Sequence, residues 1–142
     1  MLKNIPPMLS PELLKVMREM GHGDVIVLTD ANYPAASCAK RLIRLDGVEV
    51  TDLLDAMLCL LPLDAYVAHP FWLMKPELQD PTPEIWDKFT EIIKRHNDAK
   101  VFSEFLQLER RNFYENSKKA YAIVQTGTTA HYANICIQKG VL

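Results

Sequence analysis

The sequence contains a histidine between two glycines, in the segment Gly21-His22-Gly23-Asp24. Glycine lets the backbone turn sharply and leaves the neighbouring ring uncovered, which a packed core histidine does not require. The unperturbed pKa of a histidine is about 6.5, close to the pH at which a general acid or base works best. His22 is therefore the first candidate for proton transfer. The alternative is a turn histidine that binds a nearby carbonyl group.

Two carboxylates flank the apolar run that follows His22. Residues 24–29 are predicted to form a buried strand, and Asp30 lies where this strand opens into a loop, a usual place for ligand contacts. Because Asp30 is the sixth residue after Asp24, the two lie at opposite ends of the strand and do not form a close pair of the glycosidase kind. Asp30 is predicted to contact a ligand, and Asp24 to support the His22 loop.

The last third of the chain carries side chains that suit a polyol. Arg110 offers a rigid fork of donors, Tyr132 a hydroxyl, and Asn134 both a donor and an acceptor. Tyr132 and Asn134 are two residues apart, so on a strand both face the same side. The spacing alone favours a plainer interpretation, in which these residues belong to a solvated helix face and an edge strand.

The elements that must position these groups alternate between helices and strands. Ser10 is followed by a proline and an acid, which predicts a capped helix start. After the strand at 24–29, the sequence predicts a loop with a short strand at 41–45, a helix at 52–61 capped by Thr51, and an extended segment at 65–74. A helix over the apolar positions 85–93 and an extended piece at 104–108 follow. The last predicted elements are a helix at 110–119 and strands at 120–125 and 133–138. This mixture predicts one layered α/β domain over residues 1–142.

The composition excludes several classes of function. At 142 residues, of which 49% are hydrophobic, the chain can build one core. A net charge of −2 gives no electrostatic basis for binding nucleic acid or an anionic membrane. No apolar stretch approaches the roughly 20 residues of a membrane span, and the start has no signal-peptide pattern, so a cytoplasmic protein is expected.

Motifs for phosphoryl transfer, acyl-enzyme chemistry and metal binding are missing from the sequence. There is no glycine-rich phosphate loop, no nucleophile elbow and no His-x-x-x-His pair. His22, Asp24 and Asp30 could in principle ligate a metal, but their spacing gives no support for it. We therefore predict neither a cofactor nor a metal, and expect a small neutral ligand.

Short motifs run in a fixed order along nearly the whole chain. They are Leu2-Lys3, Ser10-Pro11-Glu12-Leu13-Leu14, Gly21-His22-Gly23-Asp24, Asp30-Ala31, Asp46-Gly47, Asp52-Leu53-Leu54, Leu63-Asp64, Phe113-Tyr114-Glu115, Lys119-Ala120-Tyr121-Ala122-Ile123-Val124, Thr126-Gly127 and Tyr132-Ala133-Asn134-Ile135. In this order and spacing the chain resembles the family of L-fucose mutarotases and D-ribose pyranases.

The resemblance implies a three-layer α/β/α subunit in a ring-like homo-oligomer, commonly a decamer, with sites near subunit interfaces. It also implies that sugar anomers are interconverted without a cofactor. His22 corresponds to the proton donor of the family. Asp30, Tyr132 and Asn134 correspond to its sugar contacts. Tyr114 or Asp64 is a further candidate for a second acid/base or a contact.

Other residues point to a branch of the family. Gly23 and Phe113-Tyr114-Glu115 resemble the fucose branch, which favours L-fucose as the monosaccharide. By spacing Arg110 corresponds to the sugar-binding arginine, but Arg111 stands where that branch usually has an aromatic residue, so either arginine could face the ligand. Two alternatives stay open: pyranose/furanose isomerisation of the ribose pyranase kind, and a sugar-binding subunit without catalysis.

Overall fold

The computed structural model describes residues 1–96 and 101–142 of the chain. Helices and strands alternate along it. In chain order they are α1 (Pro11–Glu19), β1 (Val25–Thr29), α2 (Ala35–Cys38), β2 (Leu42–Leu45), α3 (Val50–Leu58), β3 (Phe71–Met74), α4 (Ile85–His96), β4 (Leu106–Leu108), α5 (Arg110–Lys119), β5 (Ala122–Thr126) and β6 (Ile135–Gln138).

The six strands form one sheet in the order β2-β5-β1-β6-β3-β4. Strands β2, β5 and β1 are parallel to one another, and β3 is parallel to β4. Strand β6 runs antiparallel to both of its neighbours, β1 and β3. Five strands therefore end at one edge of the sheet, the carboxyl edge, where β6 begins. The opposite edge, the amino edge, is where β6 ends.

Successive residues of the central strands pack into two separate cores, one on each face of the sheet. In β1, Ile26 and Leu28 belong to a core that also contains Leu53 of α3 and Phe89 of α4. Val27, between them, packs on the other face with residues of α2 and α5. Helices thus cover both faces, and the expected three-layer α/β/α arrangement is confirmed for the subunit.

Several local predictions are confirmed. The Ser10 Oγ accepts a hydrogen bond of 3.2 Å from the Leu13 N–H at the start of α1, as the cap pattern indicated. Helix α5 has the predicted bounds, and β1 and β6 lie within the predicted segments.

Three local predictions are wrong. Thr51 does not cap the second helix, because α3 already begins at Val50 and its first N–H donates instead to the Thr128 Oγ1 at 2.7 Å. The loop before β2 contains the short helix α2, and only the last four residues of the extended segment at 65–74 form a strand. The α3 cap comes from a residue 78 positions away, so no local pattern could indicate it.

Candidate active site

A polar pocket of about 600 Å³ lies at the carboxyl edge of the sheet. In α/β sheets this edge is the usual place for ligands, because loops that follow several strands meet there. The pocket takes Asp30 from the end of β1, Met74 from the end of β3, Arg110 from the start of α5, and Tyr132 and Asn134 from the turn before β6. Its volume lies in the range of small-molecule sites.

Asp30 and Asn134 hold each other at the base of this pocket. The Asn134 amide accepts a hydrogen bond from the Asp30 N–H at 2.9 Å and donates one to the Asp30 Oδ2 at 3.0 Å. The other carboxylate oxygen, Oδ1, accepts from the Asn32 N–H at 2.9 Å. Burial raises the pKa of Asp30 above its usual value, and these hydrogen bonds offset part of the increase. The pair therefore presents a fixed, buried acceptor to a ligand.

Tyr132 reaches the pocket from a turn rather than from a strand. Its backbone lies in the left-handed region, with φ at +56°, and β6 begins only at Ile135. The premise that Tyr132 and Asn134 share a strand face is therefore wrong. Both side chains nevertheless line the pocket, because the turn directs them there.

The two neighbouring arginines differ in their access to the polar pocket. Arg110 lines the polar pocket, with its Nη2 at 3.5 Å from the Tyr132 hydroxyl. Arg111 lines a separate surface groove beside Cys38 and Lys118. Arg110 and Tyr114 border both cavities, whereas Arg111 borders only the groove. Of the two arginines, the geometry favours Arg110 as the one that faces a ligand.

Sequence reasoning missed the apolar wall of the pocket and one of its carboxylates. Tyr33 and Met74 are buried there, and the Tyr33 hydroxyl donates to the Ser117 Oγ at 2.6 Å. Asp80 and His131 also line the pocket. Met74 could have been found only from the strand order, which brings the end of β3 next to the start of β6.

His22 lies at the amino edge of the sheet, in the loop before β1. Its imidazole is 45% exposed, and its Nε2 lies 3.2 Å from the Oδ1 of the buried Asp64. Asp64 also accepts hydrogen bonds from the Tyr66 N–H and the Gln138 Nε2, each at 2.9 Å. Burial alone would raise the pKa of Asp64, but these hydrogen bonds outweigh it and lower the pKa below the usual value. The ring is thus held by a buried, ionised carboxylate.

The loop around His22 is built as the glycine pattern indicated. Gly23 adopts φ of +84°, a conformation that other residues rarely take. The Asp24 Oδ2 accepts a hydrogen bond of 2.8 Å from the Gly21 N–H, so Asp24 supports the loop.

The structure does not bring His22 together with the pocket within one chain. His22 precedes β1, whereas Asp30 follows it, and a strand advances about 3.3 Å per residue. The six steps of extended chain from Asp24 to Asp30 therefore amount to about 20 Å. A single site that contains both His22 and Asp30 requires two copies of the chain.

Two other findings concern the described residues as a whole. Within 1–96 and 101–142, no cluster of three or more His, Cys, Asp or Glu side chains is arranged to hold a metal ion. No helix in these two ranges is long and apolar enough to cross a membrane.

Comparison with known proteins gives matches over nearly the full length. A crystal structure of the fucose mutarotase from Streptococcus pneumoniae in complex with L-fucose is 53% identical, with a TM-score of 0.93 and 99% of each chain covered. An L-fucose mutarotase of Haemophilus influenzae is 47% identical, covering 99% of this chain and 97% of that protein. The human fucose mutarotase is 44% identical, covering 99% and 94%. The model of the RbsD / FucU transport protein family matches residues 3–142. The chain therefore belongs to the RbsD / FucU family.

Proposed function

We propose that this chain is an L-fucose mutarotase, which interconverts the α and β anomers of the sugar by acid/base ring opening. The observation that carries the proposal is the convergence of Asp30, Arg110, Tyr132 and Asn134, from three separate segments, on one pocket of sugar-binding size. Full-length relatives that are named fucose mutarotases support the choice of sugar.

A deoxy sugar presents hydroxyl groups and an apolar part, and the pocket has complementary groups for both. Asp30 and Asn134 supply fixed acceptors and donors for hydroxyl groups, while Tyr33 and Met74 supply an apolar wall. The Asp30 carboxylate and the Arg110 guanidinium bring opposite charges to the pocket, which suits a neutral polyol.

The proposed reaction requires one acid and one base. The base takes the proton of the anomeric hydroxyl, the C1–O5 bond breaks, and the acid protonates the ring oxygen to give an open aldehyde. Rotation about the C1–C2 bond then lets the ring close on the other face of C1. His22 is the proposed acid, and Asp30, Arg110, Tyr132 and Asn134 hold the hydroxyl groups. Tyr114 is a further candidate for a contact or for the second acid/base group.

The proposal needs His22 from a second copy of the chain. His22 lies at the amino edge of the sheet and the pocket at the carboxyl edge. The amino edge of one copy must therefore contact the carboxyl edge of the next. An interface between unlike surfaces is heterologous, and such interfaces close into rings when the rotation between subunits allows it. This geometry supports the ring-like homo-oligomer, with the decamer as its expected form.

Asp64 is the proposed partner of the imidazole during proton transfer. Its carboxylate is buried, ionised and fixed by Tyr66 and Gln138, so it holds the His22 ring in one orientation and pairs with its protonated form. A buried carboxylate in this position acts through His22 and need not touch the sugar.

The catalytic demand is modest. Free sugars already mutarotate slowly in water, and positioned acid/base groups contribute about 10²–10⁴-fold, or roughly 3–5 kcal/mol of barrier. One histidine and a few hydrogen-bonding neighbours can supply this amount.

The test is anomer exchange of L-fucose, measured by saturation-transfer NMR for the wild type and for His22→Ala. We expect the wild type to accelerate exchange, and the variant to lose this activity while it keeps its assembly state. A matched control is His69→Ala, which changes another histidine, partly exposed, whose ring contacts the Glu104 carbonyl. Wild-type exchange rates in His22→Ala would remove His22 from the mechanism.

The same measurement separates the alternatives. Faster exchange of D-ribose than of L-fucose would favour the ribose pyranase type. Binding of L-fucose without faster exchange would favour a non-catalytic sugar-binding subunit. The proposal includes a cytoplasmic location, which fractionation of cells that produce the protein would check.

A further inference from the structure

The hydroxyl group of Tyr132 is the centre of a hydrogen-bond network that the proposed reaction does not explain. It donates to the Asp80 Oδ2 at 2.5 Å and accepts from the Glu77 N–H at 3.2 Å. The Arg110 Nη2 lies 3.5 Å from the same oxygen. At the other end of the residue, the Trp86 Nε1 donates to the Tyr132 carbonyl at 3.2 Å. These contacts hold Tyr132 in the left-handed backbone region, which residues other than glycine rarely adopt.

Asp80 and Glu77 belong to one tight turn, which we call the 77–80 turn. The Asp80 N–H donates to the Glu77 carbonyl at 3.0 Å and closes it. Pro76 and Pro81 flank the turn and restrict its backbone. Just before it, the Lys75 N–H donates to the Leu108 carbonyl at 2.8 Å, which fixes the chain to the last residue of β4. The turn is therefore a firm support at the carboxyl edge.

The 77–80 turn also contacts Arg110. The Glu77 Oε1 lies 3.5 Å from the Arg110 Nε, and Arg110 reaches the Tyr132 hydroxyl as well. Glu77, Arg110 and Tyr132 thus form a closed set of contacts with Asp80. Two of its members, Arg110 and Tyr132, are proposed sugar contacts.

We infer that Asp80 is a positioning residue, which fixes Tyr132, and through the shared hydroxyl Arg110, in the geometry that binds the sugar. This inference rests on the proposed function. A phenol has one proton to donate, and here Asp80 accepts it. The phenol oxygen also accepts from the Glu77 N–H, and Arg110 approaches it at 3.5 Å. A sugar group that meets Tyr132 must therefore replace the long Arg110 contact as a donor or contact the ring, and both depend on the orientation that Asp80 sets.

The test compares Asp80→Ala, Asp80→Asn and the wild type. Loss of the hydrogen bond that the charged Asp80 accepts from Tyr132 should raise the KM and the Kd for L-fucose about tenfold, because the phenol is no longer held in place. The kcat should change less than twofold, because binding is weakened equally in the ground state and the transition state. Asp80→Asn retains an acceptor oxygen and should recover most of the affinity. Glu84→Ala, which removes an exposed carboxylate from the same segment, is the matched control.

A double-mutant cycle shows whether Asp80 acts through Tyr132. Tyr132→Phe removes the hydroxyl that Asp80 holds. In this background Asp80→Ala should change the Kd by less than twofold, whereas independent roles would multiply the two effects. An unchanged midpoint of thermal unfolding in Asp80→Ala should accompany the affinity loss. A tenfold effect that persists in Tyr132→Phe would overturn the inference.

The failure of this inference and the failure of the proposed function give different results. If the wild type exchanges L-fucose anomers but Asp80→Ala binds the sugar as tightly, the positioning role is wrong and the function stands. If the wild type neither binds nor exchanges the sugar, the proposed function is wrong. A crystal structure of Asp80→Ala then decides the positioning role by itself: a displaced Tyr132 ring supports it, and an unmoved ring contradicts it.

Discussion

Replacing Asp64 should affect both stability and activity, because this buried carboxylate joins the core to the His22 ring. Asp64→Ala leaves the Tyr66 N–H and the Gln138 Nε2 without their acceptor. Two hydrogen bonds to a charged group, at about 1.5 kcal/mol each, amount to about 3 kcal/mol of unfolding free energy. We add little for His22, since its ring is half exposed and water can replace the contact.

For a chain of this size, 3 kcal/mol corresponds to a decrease of about 10 °C in the midpoint of thermal unfolding. Anomer exchange should fall about 10–100-fold at temperatures where the variant is folded, because the imidazole loses its fixed orientation. Calorimetry at constant protein concentration gives the first quantity, since assembly also changes the apparent stability. Saturation-transfer NMR gives the second.

The pH dependence of the unfolding free energy distinguishes the contribution of the Asp64 charge from that of its side-chain shape. The folded-state pKa lies below the usual value of 3.8, so the stabilisation is complete above 3.8 and is lost as the pH falls through the lower folded-state value. Asp64→Asn has no such titration. The difference in unfolding free energy between wild type and Asp64→Asn should therefore narrow between about pH 5 and pH 2. A difference that stays constant over this range would contradict a stabilising role for the ionised Asp64 carboxylate.

Three further predictions follow from other contacts. Asn134→Ala should abolish measurable fucose binding and lower the unfolding free energy by about 2–3 kcal/mol, because the buried Asp30 loses two hydrogen bonds; calorimetric titration and denaturation check this. Gly127→Ala should lower the unfolding free energy by about 3 kcal/mol or more, because the added Cβ would lie 2.0 Å from the Asp46 carbonyl oxygen. Gly47→Ala, where a Cβ meets no atom within 4 Å, should be tolerated, and urea denaturation compares the two variants. In the exchange assay, Arg111→Ala should leave the KM for L-fucose within twofold of the wild-type value, whereas Arg110→Ala should raise it further. The reason is that only Arg110 of the two lines the polar pocket.

Much of the fold could be predicted from the sequence because its signals are local. The cap at Ser10 and the apolar run of β1 specify elements through neighbours within a few residues. The α3 cap could not be predicted in this way, since Thr128 reaches Val50 from a distant part of the chain. Helix α2 has only four residues, too few for a periodic pattern.

The candidate site was predictable in part for the same reason. His22 and Asp30 stand out because each is a polar residue that adjoins an end of the apolar run of β1. Met74 and Asp80 depend on the strand order, which no short pattern encodes. The relation between His22 and the pocket depends on the direction of β1, which sets them at opposite edges of the sheet.

In the proposed enzyme, each active site combines His22 of one copy with Asp30 of another. The most direct test mixes two inactive variants, His22→Ala and Asp30→Asn, by unfolding and refolding them together in equal amounts. At random assembly one site in four receives both intact residues, so L-fucose exchange should return to about a quarter of the wild-type rate. Each variant refolded alone should stay inactive. If the mixture is as inactive as the separate variants, His22 and Asp30 do not act together across two copies of the chain.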